Sequence, residues 1–81
     1  MMDPETLARE AAVYIELPDR LGISFTTREL FHGRVSDCLR MIGGYPSARR
    51  SVAYIETVDG AIRLDPADIE ALLTPPADRA A

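Results

Sequence analysis

The sequence contains a single cysteine, no lysine and no long apolar run. One cysteine excludes an internal disulfide, so we expect a protein of a reducing compartment. No stretch approaches the ~20 apolar residues of a membrane helix, and the acidic start, Met1-Met2-Asp3-Pro4-Glu5, lacks a signal-peptide pattern. We therefore expect a cytoplasmic protein without a membrane partner. One histidine and one cysteine make no metal site, and no nucleophile–base spacing is present, so we expect neither an enzyme nor a cofactor.

The charge of the chain is unevenly distributed. The 81 residues are enough for one small domain, with a net charge of −4. Residues 1–19 hold one arginine and five acidic residues. Residues 20–50 hold six arginines and two acidic residues, and residues 51–81 hold two arginines and six acidic residues. Because salt screens charges beyond about 8–10 Å, the local field of the central arginines counts for more than the net acidity. Arginine suits bidentate contacts with phosphate, guanine or carboxylate. Codon bias in a GC-rich genome explains the all-arginine composition equally well.

The segment from Arg34 to Ile42 predicts a short amphipathic helix. At about 100° per residue, its apolar residues share one arc and most of its polar residues share the opposite one. The apolar arc, which should face the core, holds Val35, Cys38, Leu39 and Ile42; the polar arc holds Ser36, Asp37 and Arg40, with Arg34 at its edge.

Two further helices and a short strand are predicted before this segment. Asp3-Pro4-Glu5 has the N-cap and first-turn residues of a helix, which Pro18 should end at about residue 17. Residues 23–25 alternate apolar, polar, apolar, as in a short strand. Thr26 and Glu29 have the spacing of a capping box, which predicts a second helix ending at His32-Gly33.

A β-hairpin and a last helix are predicted after it. Residues 51–64 are typical of two strands joined at an Asp59-Gly60 turn. This register places Ile55 opposite Leu64 on the core side, and Glu56 opposite Arg63 on the outer side. Asp65-Pro66 repeats the N-cap and proline signal for a short final helix.

The predicted fold class is therefore α+β, as a small winged helix-turn-helix. The order is helix, short strand, helix, helix, β-hairpin wing and C-terminal helix, with Arg34–Ile42 as the recognition helix. We expect one domain over residues 1–74 and a disordered tail over residues 75–81.

Residues 34–54 resemble the winged-helix module that ends many phage and plasmid primase-helicases and virulence-associated E-type proteins. The matching residues are Arg34-Val35, Leu39-Arg40, Gly43, Arg49-Arg50 and Val52-Ala53-Tyr54. The sequence departs from those modules where Gly44 precedes Tyr45, and it lacks their dense basic loop. The resemblance implies nucleic-acid binding in a mobile-element context.

Two functions are compatible with these observations. The first is a DNA-binding winged helix that acts as a transcriptional regulator, excisionase-like factor or replication accessory, with double-stranded DNA as its partner. The second is a protein-binding module of the same fold, such as a phage-encoded inhibitor or antiactivator. In the first case a homodimer is plausible, because dimers read two half-sites. The candidate DNA-binding residues are Arg28, Arg34, Ser36, Asp37, Arg40, Arg49 and Arg50.

Overall fold

A computed structural model describes residues 2–73 and shows a small α+β domain with a four-stranded antiparallel sheet. The strand order is β2-β1-β3-β4. In chain order the elements are α1 (Pro4–Leu7), β1 (Glu10–Pro18), β2 (Phe25–Arg34), α2 (Val35–Gly43), α3 (Ser47–Arg50), β3 (Ala53–Thr57), β4 (Arg63–Leu64) and α4 (Pro66–Leu73). The predicted tail over residues 75–81 lies outside the described residues.

The predicted first helix is wrong beyond its first turn. Asp3 does form the N-cap, accepting a hydrogen bond from the Thr6 amide at 2.7 Å, but α1 ends at Leu7. Residues 10–18 instead form a central strand that pairs with β2 on one side and β3 on the other. Its core-facing residues at positions 11, 13 and 15 are buried, and Ala12 between them is buried as well, so a continuous apolar run covers residues 11–13.

The predicted second helix is also wrong, because residues 25–34 form the ten-residue strand β2. Gly33 therefore lies within a strand, and Thr26 caps no helix. Threonine and phenylalanine side chains suit a strand better than a helix. The pairing between β1 and β2 shifts between Val13 and Tyr14, which leaves Leu30 as the extra residue of a β-bulge.

The predicted amphipathic helix is confirmed as α2. Its buried residues are Val35, Cys38 and Ile42, all with no exposed surface, and they pack on the sheet beside Val13 and Ile55. The helix begins directly at the end of β2, so no helix precedes it through a tight turn. The element order therefore differs from that of a winged helix-turn-helix.

The predicted hairpin and last helix are confirmed. Strand β3 pairs with β4 in the expected register, with Ile55 opposite Leu64 and Glu56 opposite Arg63. Gly60 has φ +75° in the turn, a conformation that glycine adopts without strain. Helix α4 then places the fully buried Ile69 against the core.

The helices α2 and α4 cover one face of the sheet, and the described residues place no helix on the other. The domain is accordingly flat, with extents of 44 × 32 × 18 Å. Strand β3 pairs with β1 only over residues 11–15, so the far ends of β1 and β2 extend beyond it as a two-stranded arm. None of the described helices has the length and apolar character needed to cross a membrane.

Candidate functional site

The polar face predicted for the recognition helix is present, but its charges are partly compensated. Arg40 is 81% exposed, and its Nη1 lies 3.7 Å from the carboxylate of Asp37, one turn earlier. Ser36 is half-buried. Arg34 stands at the N-cap position of α2 without a side-chain capping bond. Arg34 is also the last residue of β2, opposite Glu10 in the β1–β2 register, and it forms no ion pair within the part of the chain that the structure describes.

Arg50 has a structural role that the sequence did not indicate. Its Nε donates to Glu70 of α4 at 2.7 Å, and its Nη1 donates to the backbone oxygen of Tyr45 at the same distance. The two bonds connect α3 to α4 and to the preceding loop. A phosphate contact by Arg50 would have to compete with both bonds, which weakens its candidacy as a phosphate clamp.

Arg28 and Arg49 lie together at an apolar groove of about 650 Å³ between the arm and the loop around α3. Arg28 projects from β2 on the helix side of the sheet, opposite Ile15. Arg49 lies 5.4 Å from the ring centroid of Tyr45, a cation–π contact that orients its guanidinium. Neither guanidinium has a carboxylate partner among residues 2–73. The apolar walls of this arginine groove are formed by Ile15, Leu17, Leu30, Pro46, Ala48 and Val52.

The turn at the end of the arm is organised by one carboxylate. Asp19 accepts hydrogen bonds from the amides of Leu21 and Ile23 at 3.0 Å and from the Ser24 hydroxyl at 2.8 Å. These bonds, led by the one from Ser24, lower the pKa of Asp19. Gly22 takes the positive φ of +70° that the turn requires. The turn therefore has a defined conformation although it lies at the tip of an arm.

This arm also exposes large apolar side chains. Leu21 and Ile23 are each 78% exposed in the turn, and Phe25 is 64% exposed where β2 begins. Leu17, which is 42% exposed, belongs to the same arm and lines the arginine groove. Scattered apolar residues are ordinary on protein surfaces, whereas a contiguous set on one projection indicates a binding surface.

The open face of the sheet has aromatic residues at its centre. The rings of Tyr14 and Tyr54 stack with centroids 5.3 Å apart, and the Arg63 guanidinium lies 3.9 Å from the Tyr54 centroid. Desolvation, together with the nearby Glu29 and Glu56 carboxylates, raises the pKa of Tyr14. Stacking platforms for nucleic acid require a positive surround. This face is acidic, so it does not favour a nucleic acid.

Arg63 also forms two ion pairs on this open face of the sheet. It donates to Glu16 at 3.3 Å and to Asp65 at 3.0 Å. The register prediction, which paired it with Glu56, is right about the backbone, but these other carboxylates hold the guanidinium. At the opposite edge His32, predicted at a helix end, instead lies 2.9 Å from Glu10 across two strands.

The arginine groove and the apolar arm were missed because both depend on the β1–β2 hairpin. The alternation at residues 23–25 predicted a short strand there, but residues 23 and 24 lie in the turn and β2 runs from Phe25 to Arg34, where it pairs with β1. Within the described residues no group of three or more histidine, cysteine or acidic side chains is placed to hold a metal ion.

Compared with known proteins, the chain matches no protein-family model, no curated protein and no solved structure at a significant level.

Proposed function

We propose that this protein is a protein-binding module whose arginine groove takes an acidic, amphipathic segment of a partner protein. The observation that carries the proposal is the pairing of Arg28 and Arg49 at an apolar groove without a carboxylate partner among residues 2–73. A partner that supplies both apolar and acidic side chains matches the groove in shape and in charge.

The apolar arm supports the same function. A fixed conformation of the turn lowers the entropy that a partner must remove on binding. Asp19 supplies that fixed conformation, while Leu21 and Ile23 supply exposed apolar area. In this proposal the arm continues the contact that begins in the arginine groove, through Leu17.

A peptide-display selection tests the proposal. Wild-type protein should enrich peptides in which two acidic residues flank apolar ones. For a selected peptide, each of Arg28→Ala and Arg49→Ala should weaken binding by about tenfold, because a charge-assisted hydrogen bond contributes about 1.5–3 kcal/mol. Arg34→Ala is the matched control, since Arg34 also lacks a carboxylate partner in the described chain but lies outside the groove. Equal losses in all three variants would contradict the proposal.

DNA binding by a winged-helix protein is the second candidate. It is favoured by the order of α2, the β3–β4 hairpin and α4 over residues 35–73, and by the unpaired Arg34 beside α2. However, β2 occupies the position at which a winged helix-turn-helix has a helix. The ion pairs of Arg40 with Asp37 and of Arg50 with Glu70 also reduce the positive charge that the protein could present to DNA. We therefore rank it below protein binding.

A further inference from the structure

Strand β2 forms one edge of the sheet, and no element of residues 2–73 pairs with its outer side. It is the longest strand in the domain, with ten residues. The opposite edge is β4, which has only two residues. The free hydrogen-bonding capacity of the sheet is therefore concentrated along β2.

The hydrogen-bond pattern shows which residues of β2 direct their backbone groups outward. At the ends of the β1–β2 pair, Val35 donates to Arg9 and Asp19 donates to Ser24, both at 2.9 Å. Antiparallel pairs alternate between residues bonded to each other and residues bonded to the other side. By this alternation the residues at 25, 27 and 29 present their amide and carbonyl groups at the open edge.

Native edge strands are usually protected by charged side chains, especially lysine, or by proline, bulges or short length. The charged residues of this stretch are Arg28 and Glu29, at its far end. Residues 25–29 of β2 contain no proline or lysine, and the bulge at Leu30 comes after them, so this stretch is regular. The exposed Phe25 lies at its start. The edge is therefore suited to accept another strand.

We propose that a second copy of this chain pairs antiparallel with this edge, in a register centred on Thr27. In such a pair a two-fold axis passes through one position of the strand, where the residue faces its own copy. Every other residue faces the residue that lies equally far from that position on its other side. A centre at Arg28 would set two guanidiniums opposite each other, which is destabilising. A centre at Thr27 sets threonine opposite threonine, a favourable pair, and within residues 25–29 it brings no like charges into direct opposition.

The Thr27 register also uses the outward backbone groups most fully. Residues 25, 27 and 29 then face residues 29, 27 and 25 of the second copy, which forms about six backbone hydrogen bonds. On the open face of the sheet, Glu29 lies opposite the second copy's phenylalanine at position 25, and on the helix side Arg28 lies opposite a threonine. The apolar turn of each copy then runs beside residues 30–34 of the other.

The proposal rests on the backbone groups at the outer edge of β2, whereas the arginine groove binds through side chains, two of which, Arg28 and Leu30, also belong to β2. The oligomeric state and peptide binding are measured separately, so either proposal can fail without the other. Sedimentation equilibrium should give a mass of about twice 8.9 kDa. Thr27→Cys should form an intermolecular disulfide under mild oxidation, since hydrogen-bonded residue pairs have Cα atoms about 5.5 Å apart, which is within disulfide range. The native Cys38 is buried and should not react.

Arg40→Cys, on the exposed face of α2, is the control for random collision. At about 10 μM protein, Thr27→Cys should cross-link roughly 100-fold faster than the control, because pairing raises its effective concentration to the millimolar range.

Thr27→Pro, which removes only an outward amide, should give a folded monomer by circular dichroism and sedimentation. A wild-type mass of 8.9 kDa at every concentration would overturn the proposal. A dimer in which Thr27→Cys cross-links no faster than Arg40→Cys would also overturn it.

Discussion

Asp19 shows how much one side chain contributes at the tip of the arm. Its carboxylate accepts hydrogen bonds from two backbone amides and from one hydroxyl. These bonds take the place of the interstrand hydrogen bonds that residues in a turn lack. An aspartate in this role is an Asx-type turn residue, recognised by its bonds to amides a few residues later. The conformation of Leu21 and Ile23 therefore depends on the ionised state of Asp19.

We expect the turn to loosen when Asp19 is protonated. The pKa of Asp19 is lowered in the folded protein, so its stabilising effect is complete above the ordinary carboxyl range and is lost as pH falls through the folded pKa. Amide chemical shifts of Leu21 and Ile23 should titrate together with a midpoint below 3.8. Asp19→Ala should move both shifts toward random-coil values at neutral pH, and Asp19→Asn, which still accepts hydrogen bonds, should move them less. A midpoint at or above 3.8 would contradict this account.

Cys38 should be chemically inert in the native protein. Burial raises the pKa of its thiol to about 11, with a smaller contribution from Asp37, so almost no thiolate exists at neutral pH. A disulfide reagent such as DTNB at pH 8 should modify it only as fast as the protein opens, and at once in denaturant. Rapid labelling of the folded protein would show that the packing of α2 against the sheet does not bury this residue.

At the scale of elements, α2 is the main cover of the sheet. Ile42 has no exposed surface, whereas Arg40 on the same helix is 81% exposed in its side chain. Ile42→Ala should lower the free energy of unfolding by about 2–5 kcal/mol, because it leaves a cavity between α2 and the sheet. Urea denaturation measures this change. Arg40→Ala is the control and should alter stability by less than about 0.5 kcal/mol. Similar losses in the two variants would contradict the assigned helix face.

The second half of the fold could be predicted from sequence because its signals are local. The Asp59-Gly60 turn, the 3.6-residue period of α2 and the Asp65-Pro66 start of α4 each act within a few residues. Such signals do not depend on which other part of the chain lies nearby. The hairpin register accordingly agrees with the structure residue by residue.

The first half could not be predicted in the same way because non-local pairing decides it. In β1 the apolar Ala12 and Tyr14 stand between the core-facing residues 11, 13 and 15 and obscure the alternation of a strand, and apolar residues at positions 7, 11, 14 and 15 also fit a helical stripe. The contact with β3, about 40 residues later, selects the strand. The Thr26–Glu29 spacing matches a capping box in a segment whose side chains favour a strand.

The candidate site shares this difficulty. The arginines were visible in the sequence, but their roles depend on partners far along the chain. Glu70 of α4 forms an ion pair with Arg50, and Arg28 and Arg49, from distant parts of the chain, line the same apolar groove. Only Arg34 of the predicted recognition face has no carboxylate partner in the described chain.

At the scale of the whole molecule, the free arginines do not form one continuous patch. Arg28 and Arg34 are six residues apart on β2, which places them about 20 Å apart along the strand. A duplex should therefore meet few of them at once. In a titration with random duplex DNA at two salt concentrations, we expect a slope of log affinity against log salt no steeper than about −2. A slope several times steeper would restore DNA binding as the leading function.

Reversal of the groove charge tests the central claim most directly. Peptide selections should be run in parallel on the wild type and on the double variant Arg28→Glu/Arg49→Glu, with circular dichroism to establish that both are folded. The account predicts that the wild type enriches peptides with acidic residues beside apolar ones, and that the double variant enriches peptides with basic residues in the same positions. The same peptides from both proteins, or no enrichment by the folded wild type, would contradict the claim that the arginine groove recognises an acidic partner.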